Sequence, residues 1–321
     1  MTLPETFPPV AVVTRLLADV YGLRGAFHFR VLSDGVAPPV LVEADGVRRI
    51  LRSQKLSTLA DHEIAAARAS VLLGATARGA PVTGLLVTRD GSPVHVERVG
   101  DTVHALCMYE FVDGRAPSPS EATFRRLGAH LASLHLAFEA GDALLYRLPR
   151  LGRAELLDLP ARAIRPRLRR AAATLDRAVE LLEPDLDRFE AELALTVCHG
   201  DAHHHNCQWT ATDELRFLDF EHVSVGWRSY DLATLLWGTL GGSSGPAVWS
   251  AAVQGYSEVQ RLTDQEAAAI PPLMACRHIW WLGWHAQHWG RWRRTWMTPD
   301  FFDDSLELVR RLLVEACGRD W

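Results

Sequence analysis

The residues that could do chemistry crowd into one stretch, Val197 to Leu236. It reads V-C-H-G-D-A-H-H-H-N-C-Q-W, then L-R-F-L-D-F-E, then Y-D-L-A-T-L-L. A short apolar run leads into His199-Gly200-Asp201, and Asn206 follows the aspartate with four residues between them. A second apolar run, Leu215 to Leu218, delivers Asp219. Glu221 stands two places on, and so on the same side of an extended strand. This is the spacing phosphoryl transfer needs. One carboxylate orients or accepts the proton of an attacking hydroxyl. An amide oxygen and a second carboxylate hold Mg²⁺ against nucleotide phosphates.

The ordered set H-G-D-x-x-x-x-N followed by D-x-E resembles the catalytic and metal loops of the aminoglycoside phosphotransferase and choline kinase-like family. These are small-molecule kinases with a protein-kinase-like fold. The resemblance implies an α+β, bilobal fold: a small N-terminal antiparallel sheet lobe with the hinge over 1–112, and a larger, mainly helical C-terminal lobe over 113–321. It implies transfer of the γ-phosphate of ATP, or of GTP, to a hydroxyl of an antibiotic-like or metabolite acceptor, with Mg²⁺ as cofactor. Position by position, Asp201 resembles the catalytic aspartate, and Asn206 and Asp219 the metal ligands. Glu221 resembles a second acid near the metal, and Asp231 the aspartate that braces the loop.

The same residues have plainer readings. An isolated aspartate after a strand is usually a turn or a helix cap. His199 reads as a core histidine bonded to backbone. His203, His204 and His205 invite a zinc site, since histidine is the commonest transition-metal ligand. Three consecutive side chains cannot all point at one ion, and no second Cys/His cluster has ligand spacing. His203 or His204 reaching substrate or phosphate is the better expectation.

The elements that must position these groups can be read from composition and periodicity. The chain has 321 residues, 48% of them apolar and 23% charged, as in a globular protein of one large or two smaller domains. A net charge of −5 argues against a nucleic-acid partner and permits a cationic substrate. No positive region followed by an apolar run opens the chain, and no apolar run is long enough to span a membrane. The five cysteines are scattered, which suits reduced thiols in a cytoplasmic protein. Lys55 is the only lysine among 34 basic residues.

Pro9 to Tyr21 has helical spacing, and strands follow over Phe27–Leu32, Pro39–Glu43 and Arg48–Arg52, broken at Ser33-Asp34-Gly35 and Ala44-Asp45-Gly46. No Gly-x-Gly-x-x-Gly occurs. The family resemblance asks for a strand lysine that meets phosphate and a helix glutamate that pairs with it. Arg52 has the strand position and Lys55 lies three residues on, so both are candidates. On the next helix, about Asp61 to Leu73, Ala65-Ala66-Ala67-Arg68 stands where the glutamate would be. Either Glu63 substitutes for it or the pair is lost. Further strands are expected at 83–87, 95–99 and 105–112, with the adenine-binding hinge at Met108, Tyr109, Glu110 and Phe111.

Beyond the hinge, a helix capped at Ser118-Pro119-Ser120 precedes loop-like residues 141–160. Ile164, Leu168, Leu175, Val179 and Leu182 then suggest one amphipathic helix. Thr263-Asp264-Gln265-Glu266 is a capping box. Arg277 to Trp296 holds six of the eleven tryptophans. Trp281, Trp284, His288 and Trp292 share a helical face, a wall able to hold an apolar or cationic acceptor. Two rival functions remain in view: a nucleotide-binding protein of kinase fold with weak or lost catalysis, and a protein Ser/Thr kinase of the bacterial stress-response type. The partner expected is a small-molecule hydroxyl acceptor.

Overall fold

The computed structural model describes residues 2–33, 37–138, 146–240, 245–290 and 297–321, apart from the side chain of Pro299. Trp292, Trp296 and most of the Gly241–Gly245 run lie outside the described residues. The chain forms two compact units, one of Met1–Arg115, Ala140–Leu148 and Gln208–Glu221, the other of Ala116–Glu139, Pro149–Cys207 and His222–Trp321. Among the described residues no helix is long and apolar enough to cross a membrane.

The first unit is built on an antiparallel sheet. Helix α1 (Val10–Asp19) precedes β1 (His28–Val31), β2 (Val40–Ala44) and β3 (Val47–Leu56). Then come α2 (Leu59–Ala77), β4 (Leu85–Leu86), β5 (His95–Val99) and β6 (Thr102–Glu110). The strand order is β1-β2-β3-β6-β4, with β5 also paired to β6. Asp45-Gly46 makes the two-residue turn between β2 and β3, both residues at positive φ, as a tight hairpin with the sheet's twist requires. Period-two alternation then sorts β3. Leu51 and Ser53 are buried on one face, where Val13, Leu16 and Leu17 of α1 pack with Val40, Val42, Leu51, Leu106 and Met108. Arg52 and Gln54 face the other way, toward α2. Thr58 caps α2 in a capping box with Asp61. A second small sheet joins β7 (Gly114–Arg115), β9 (Cys207–Thr210) and β10 (Leu215–Phe217).

The second unit is mainly helical: α3 (Glu121–Ala137), α4 (Leu159–Ile164), α5 (Ala172–Glu192), α6 (Arg228–Trp237), α7 (Pro246–Val259), α8 (Asp264–Gln287) and α9 (Pro299–Arg311). The short strands β8 (Thr196–Cys198) and β11 (Ser224–Gly226) pair antiparallel among them. α3 and α7 cross with reciprocal glycines at the contact. A Cβ on Gly128 would stand 2.0 Å from the Ala252 carbonyl oxygen, and one on Gly255 1.9 Å from that of Arg125.

Two expectations are corrected here. Residues 154–164 are helical, one π turn running into α4, where a loop was expected. The helix expected from Ile164 to Leu182 is broken, with Leu168 extended and α5 starting only at Ala172. Apolar spacing could not show the reason, because it lies far away in sequence. The carboxylate of Asp303 on α9 accepts from the main-chain N–H groups of Arg169, Arg170 and Ala171 and so stabilises the break.

Candidate active site

Each unit carries one part of the predicted constellation. In the helical unit, the chain leaves β8 into His199-Gly200-Asp201. Gly200 has φ +80, and a Cβ there would lie 2.1 Å from the His222 carbonyl oxygen, so only glycine fits. Asp231 on α6 is fully buried. It accepts from the N–H of His199 at 2.6 Å and of Gly200 at 2.8 Å, while His135 Nε2 sits 3.0 Å from its Oδ2. His199 is buried, and its Nδ1 accepts from the Asp201 N–H at 3.3 Å. The loop that presents Asp201 is thus fixed by its own backbone hydrogen bonds.

Both carboxylate oxygens of Asp201 are engaged. Asn206 Nδ2 donates to Oδ2 at 2.9 Å and to the Asp201 main-chain oxygen at 3.0 Å. His203 Nε2 lies 3.5 Å from Oδ2. Oδ1 takes a short hydrogen bond from Arg277 Nη2. Burial by itself would raise the Asp201 carboxyl, but the Arg277 guanidinium, helped by His203 and His222, holds it well below the usual carboxylate range. The two amide hydrogens of Asn206 are committed to Asp201, which leaves its carbonyl oxygen as the atom able to ligate a cation.

Arg277 was not singled out in the sequence. It sits on α8, 2% exposed. Its guanidinium carbon lies 4.8 Å from the ring centre of Trp237 and 4.5 Å from that of Trp280. Trp237 ends α6 and Trp280 lies on α8. An arginine among tryptophans on a buried helix was the available signal, since an unpaired buried guanidinium would be very costly. Trp281, Trp284 and His288 continue along α8 from Arg277 at helical spacing. Trp281 packs against Trp237, His285 and Phe301, and Trp284 against His285 and His288. His204 is buried with its ring 5.8 Å from that of Phe124, and burial, with His205 and His203, pushes its pKa down to about 4. His205 is exposed.

In the sheet unit, Arg52 meets both predicted acids. Its Nη2 donates to Asp219 Oδ2 at 2.7 Å and its Nη1 to Glu221 Oε2 at 2.5 Å. Burial opposes its charge, but Glu221 and then Asp219 outweigh that and raise the Arg52 pKa. Arg68 of α2 lines the same cleft with Cys107, Tyr109 and Phe220. Burial lowers its pKa to about 10 against the pull of Glu221. Lys55 pairs with His104 at the far end of β3, is exposed, and falls on the opposite strand face from Arg52. Glu63 is exposed on α2 and makes no ion pair among the described residues. Met108 and Tyr109 pair with both β3 and β4, the ladder closes where Glu110 N–H donates to Gly84 oxygen, and Phe111 lies beyond it.

Asp219 has φ 65, a left-handed conformation that aspartate adopts more readily than most residues. Its Oδ1 is buried with no hydrogen-bond partner among the described residues. An orphaned carboxylate oxygen here and a free amide oxygen on Asn206 are hard oxygen donors of the kind Mg²⁺ takes. Asp219 in the sheet unit and Asn206 in the helical unit thus each offer a donor whose chemistry suits a divalent cation.

Residues 28–273 match the phosphotransferase enzyme family. The chain belongs to that family: it is a phosphotransferase. An uncharacterised protein of Deinococcus radiodurans is 29% identical over 304 residues, covering 92% of this chain and 87% of that protein. Among solved structures, a microcompartment-associated aminopropanol kinase superposes with a TM-score of 0.75 at 20% identity, over 97% of this chain and 99% of its own. The amicoumacin kinase in complex with AMP-PNP, Ca²⁺ and Ami gives 0.73 at 17% identity, over 94% and 92%. The fold is that of the kinases.

Proposed function

We propose that the protein transfers the γ-phosphate of ATP or GTP to a hydroxyl of a small molecule, an amino alcohol or antibiotic-like metabolite. In this reading Asp201 orients the acceptor hydroxyl and takes its proton as the bond to phosphorus forms. Its low pKa makes it a weak base. A loose, metaphosphate-like transition state asks mainly for orientation, so a weak base suffices. Asn206 and Asp219 are the ligands of Mg²⁺, which when bound neutralises phosphate charge. Arg52 supplies further positive charge to the phosphates, and nucleotide base recognition falls to the backbone near Met108 to Phe111. The observation that carries this reading lies in the helical unit, where Asp201 is kept ionised by Arg277 and Asn206 spends both amide hydrogens on it, leaving its amide oxygen open. The AMP-PNP and Ca²⁺ bound by the amicoumacin kinase support it.

One observation favours the rival of a silent nucleotide binder: Arg52 already holds an oxygen of both Asp219 and Glu221. Mg²⁺-dependent turnover separates the two. ³¹P NMR of the wild-type protein with MgATP and a panel of amino alcohols and hydroxylated antibiotics should give acceptor-dependent ADP. Asp201→Ala should lower that rate by about a thousandfold. Tight nucleotide binding with no turnover on any acceptor would establish the binder instead.

A further inference from the structure

The helical unit contains a cation box that is already full. The Arg277 guanidinium carbon lies 4.8 Å from the ring centre of Trp237 and 4.5 Å from that of Trp280, and the arginine is 2% exposed. Trp237 is itself held, its Nε1 donating to His278 Nδ1 at 3.1 Å, and Trp280 meets the His222 ring edge-on at 5.3 Å. The box delivers Arg277 onto one oxygen of Asp201 and within 3.5 Å of the Gly200 carbonyl oxygen. Asn206 holds the other Asp201 oxygen. A planar guanidinium packed against two indoles, with one edge bonded to Asp201, restricts the orientation of that carboxylate.

We propose that Arg277, packed against Trp237 and Trp280, is the positioning residue of Asp201 and the resident cation of this aromatic box, so that an acceptor's ammonium group is not recognised there. The proposal rests on the catalytic reading of Asp201. Its chemistry is specific. An aromatic pair at this spacing would bind a quaternary or primary ammonium through the ring faces if it were empty. Here the chain fills it with an arginine whose edge aims a reacting group, so any cationic part of the acceptor must be met elsewhere, with Trp281 and Trp284 further along α8 the nearest aromatic candidates.

Three variants test this. Arg277→Lys keeps the charge and loses the planar fork. Arg277→Met keeps the bulk and loses the charge. Asp201→Asn supplies the background in which a residue acting only through Asp201 has nothing left to act on. With MgATP and an acceptor found by turnover, Arg277→Met should lower kcat about 100-fold with the KM for MgATP within about twofold, and Arg277→Lys should recover about tenfold of that loss. In the Asp201→Asn background, Arg277→Met should change the residual rate by less than about twofold. Equal losses with and without Asp201 would show a merely structural arginine and overturn the proposal, as would a wild-type kcat in Arg277→Met. Full activity in Asp201→Asn alone would instead sink the catalytic reading of Asp201, a separate result.

A second probe needs no acceptor and tolerates a weakened fold, because it asks for a gain. Tetramethylammonium, followed by tryptophan fluorescence, should bind Arg277→Ala at least about tenfold more tightly than the wild type, where the emptied box faces Asp201. Equal affinity for both proteins, or no binding to the folded Ala variant, would show that removing Arg277 opens no cation site and would overturn Arg277 as the resident cation of the box.

Discussion

Two arginine–carboxylate pairs, one in each unit, look alike on paper and are built for opposite purposes. Arg277 and Asp201 have side chains 3% and 14% exposed, and two indoles pack with ring centres 4.8 and 4.5 Å from the guanidinium carbon. Arg52 is 16% exposed and divides itself between Asp219, at 24%, and Glu221, at 36%, with an oxygen of Asp219 left bare. The first pair cannot exchange partners without exposing a buried charge, which is expensive. In the proposed function, a divalent cation would take the second pair's carboxylates while the arginine turned to phosphate. The first pair would then be a fixture that holds geometry and the second a contact open to a ligand, both made from the same two residue types.

The comparison can be broken by substitution, most severely at the open end. Asp219→Asn should reduce turnover about a thousandfold and weaken the apparent Mg²⁺ affinity by about 100-fold, read from the Mg²⁺ dependence of the rate. Unchanged Mg²⁺ dependence would remove Asp219 from the metal. Arg52→Met should lower kcat/KM for MgATP about 100-fold, with Arg52→Lys intermediate, while Lys55→Met should be silent in the same assay. Glu221→Gln sharpens the picture. If Glu221 only holds Arg52, the loss is on the order of fivefold, the worth of a partly exposed ion pair, at constant Mg²⁺ affinity. A Mg²⁺ affinity that falls with it would make Glu221 a metal ligand after all.

The smallest effect concerns the support of the fixture. His278, which accepts from Trp237, has its pKa pushed down to about 4, chiefly by burial. The unfolded chain protonates this side chain near its ordinary value, so stability is greatest above that value and falls as pH drops toward about 4. The contribution is about 3 kcal/mol at most. Urea midpoints measured across pH 4–7 should fall on acidification, and His278→Leu should flatten part of that slope. An unchanged slope would show that His278 is not the titrating group.

What could be read from the sequence was what is local in it. Gly200, Asp201 and Asn206 lie within one loop. The strands and the Thr263 capping box are likewise written in neighbouring residues. The strand parity expected to put Asp219 and Glu221 on one side fails, because β10 ends at Phe217, Asp219 is left-handed and Phe220–His222 is a single 3-10 turn; both acids meet at Arg52 instead. What escaped was long-range. Arg277 reaches Asp201 across 76 residues, and Arg52 reaches Asp219 across 167. The break before α5 depends on Asp303, more than 130 residues on. Arg52 and Lys55 were indistinguishable as cations in a line of letters; the odd offset of three between their positions and the pleat of β3 puts them on opposite faces. The tryptophan wall was visible as composition, but its members were ranked by helical face, and so Trp280 and Trp237 were passed over.

The solitary lysine has a practical meaning. Lys55 is exposed near the end of β3, on the face turned away from Arg52. Apart from the α-amino group it is the only primary amine that the chain offers to an acylating reagent. A fluorophore coupled there would sit on the reverse of the strand that carries Arg52, close enough to report strain in that strand and outside the cleft that Arg52 lines. The protein thus comes with a built-in address for a single optical label, and its nucleotide cycle can be watched without engineering a cysteine.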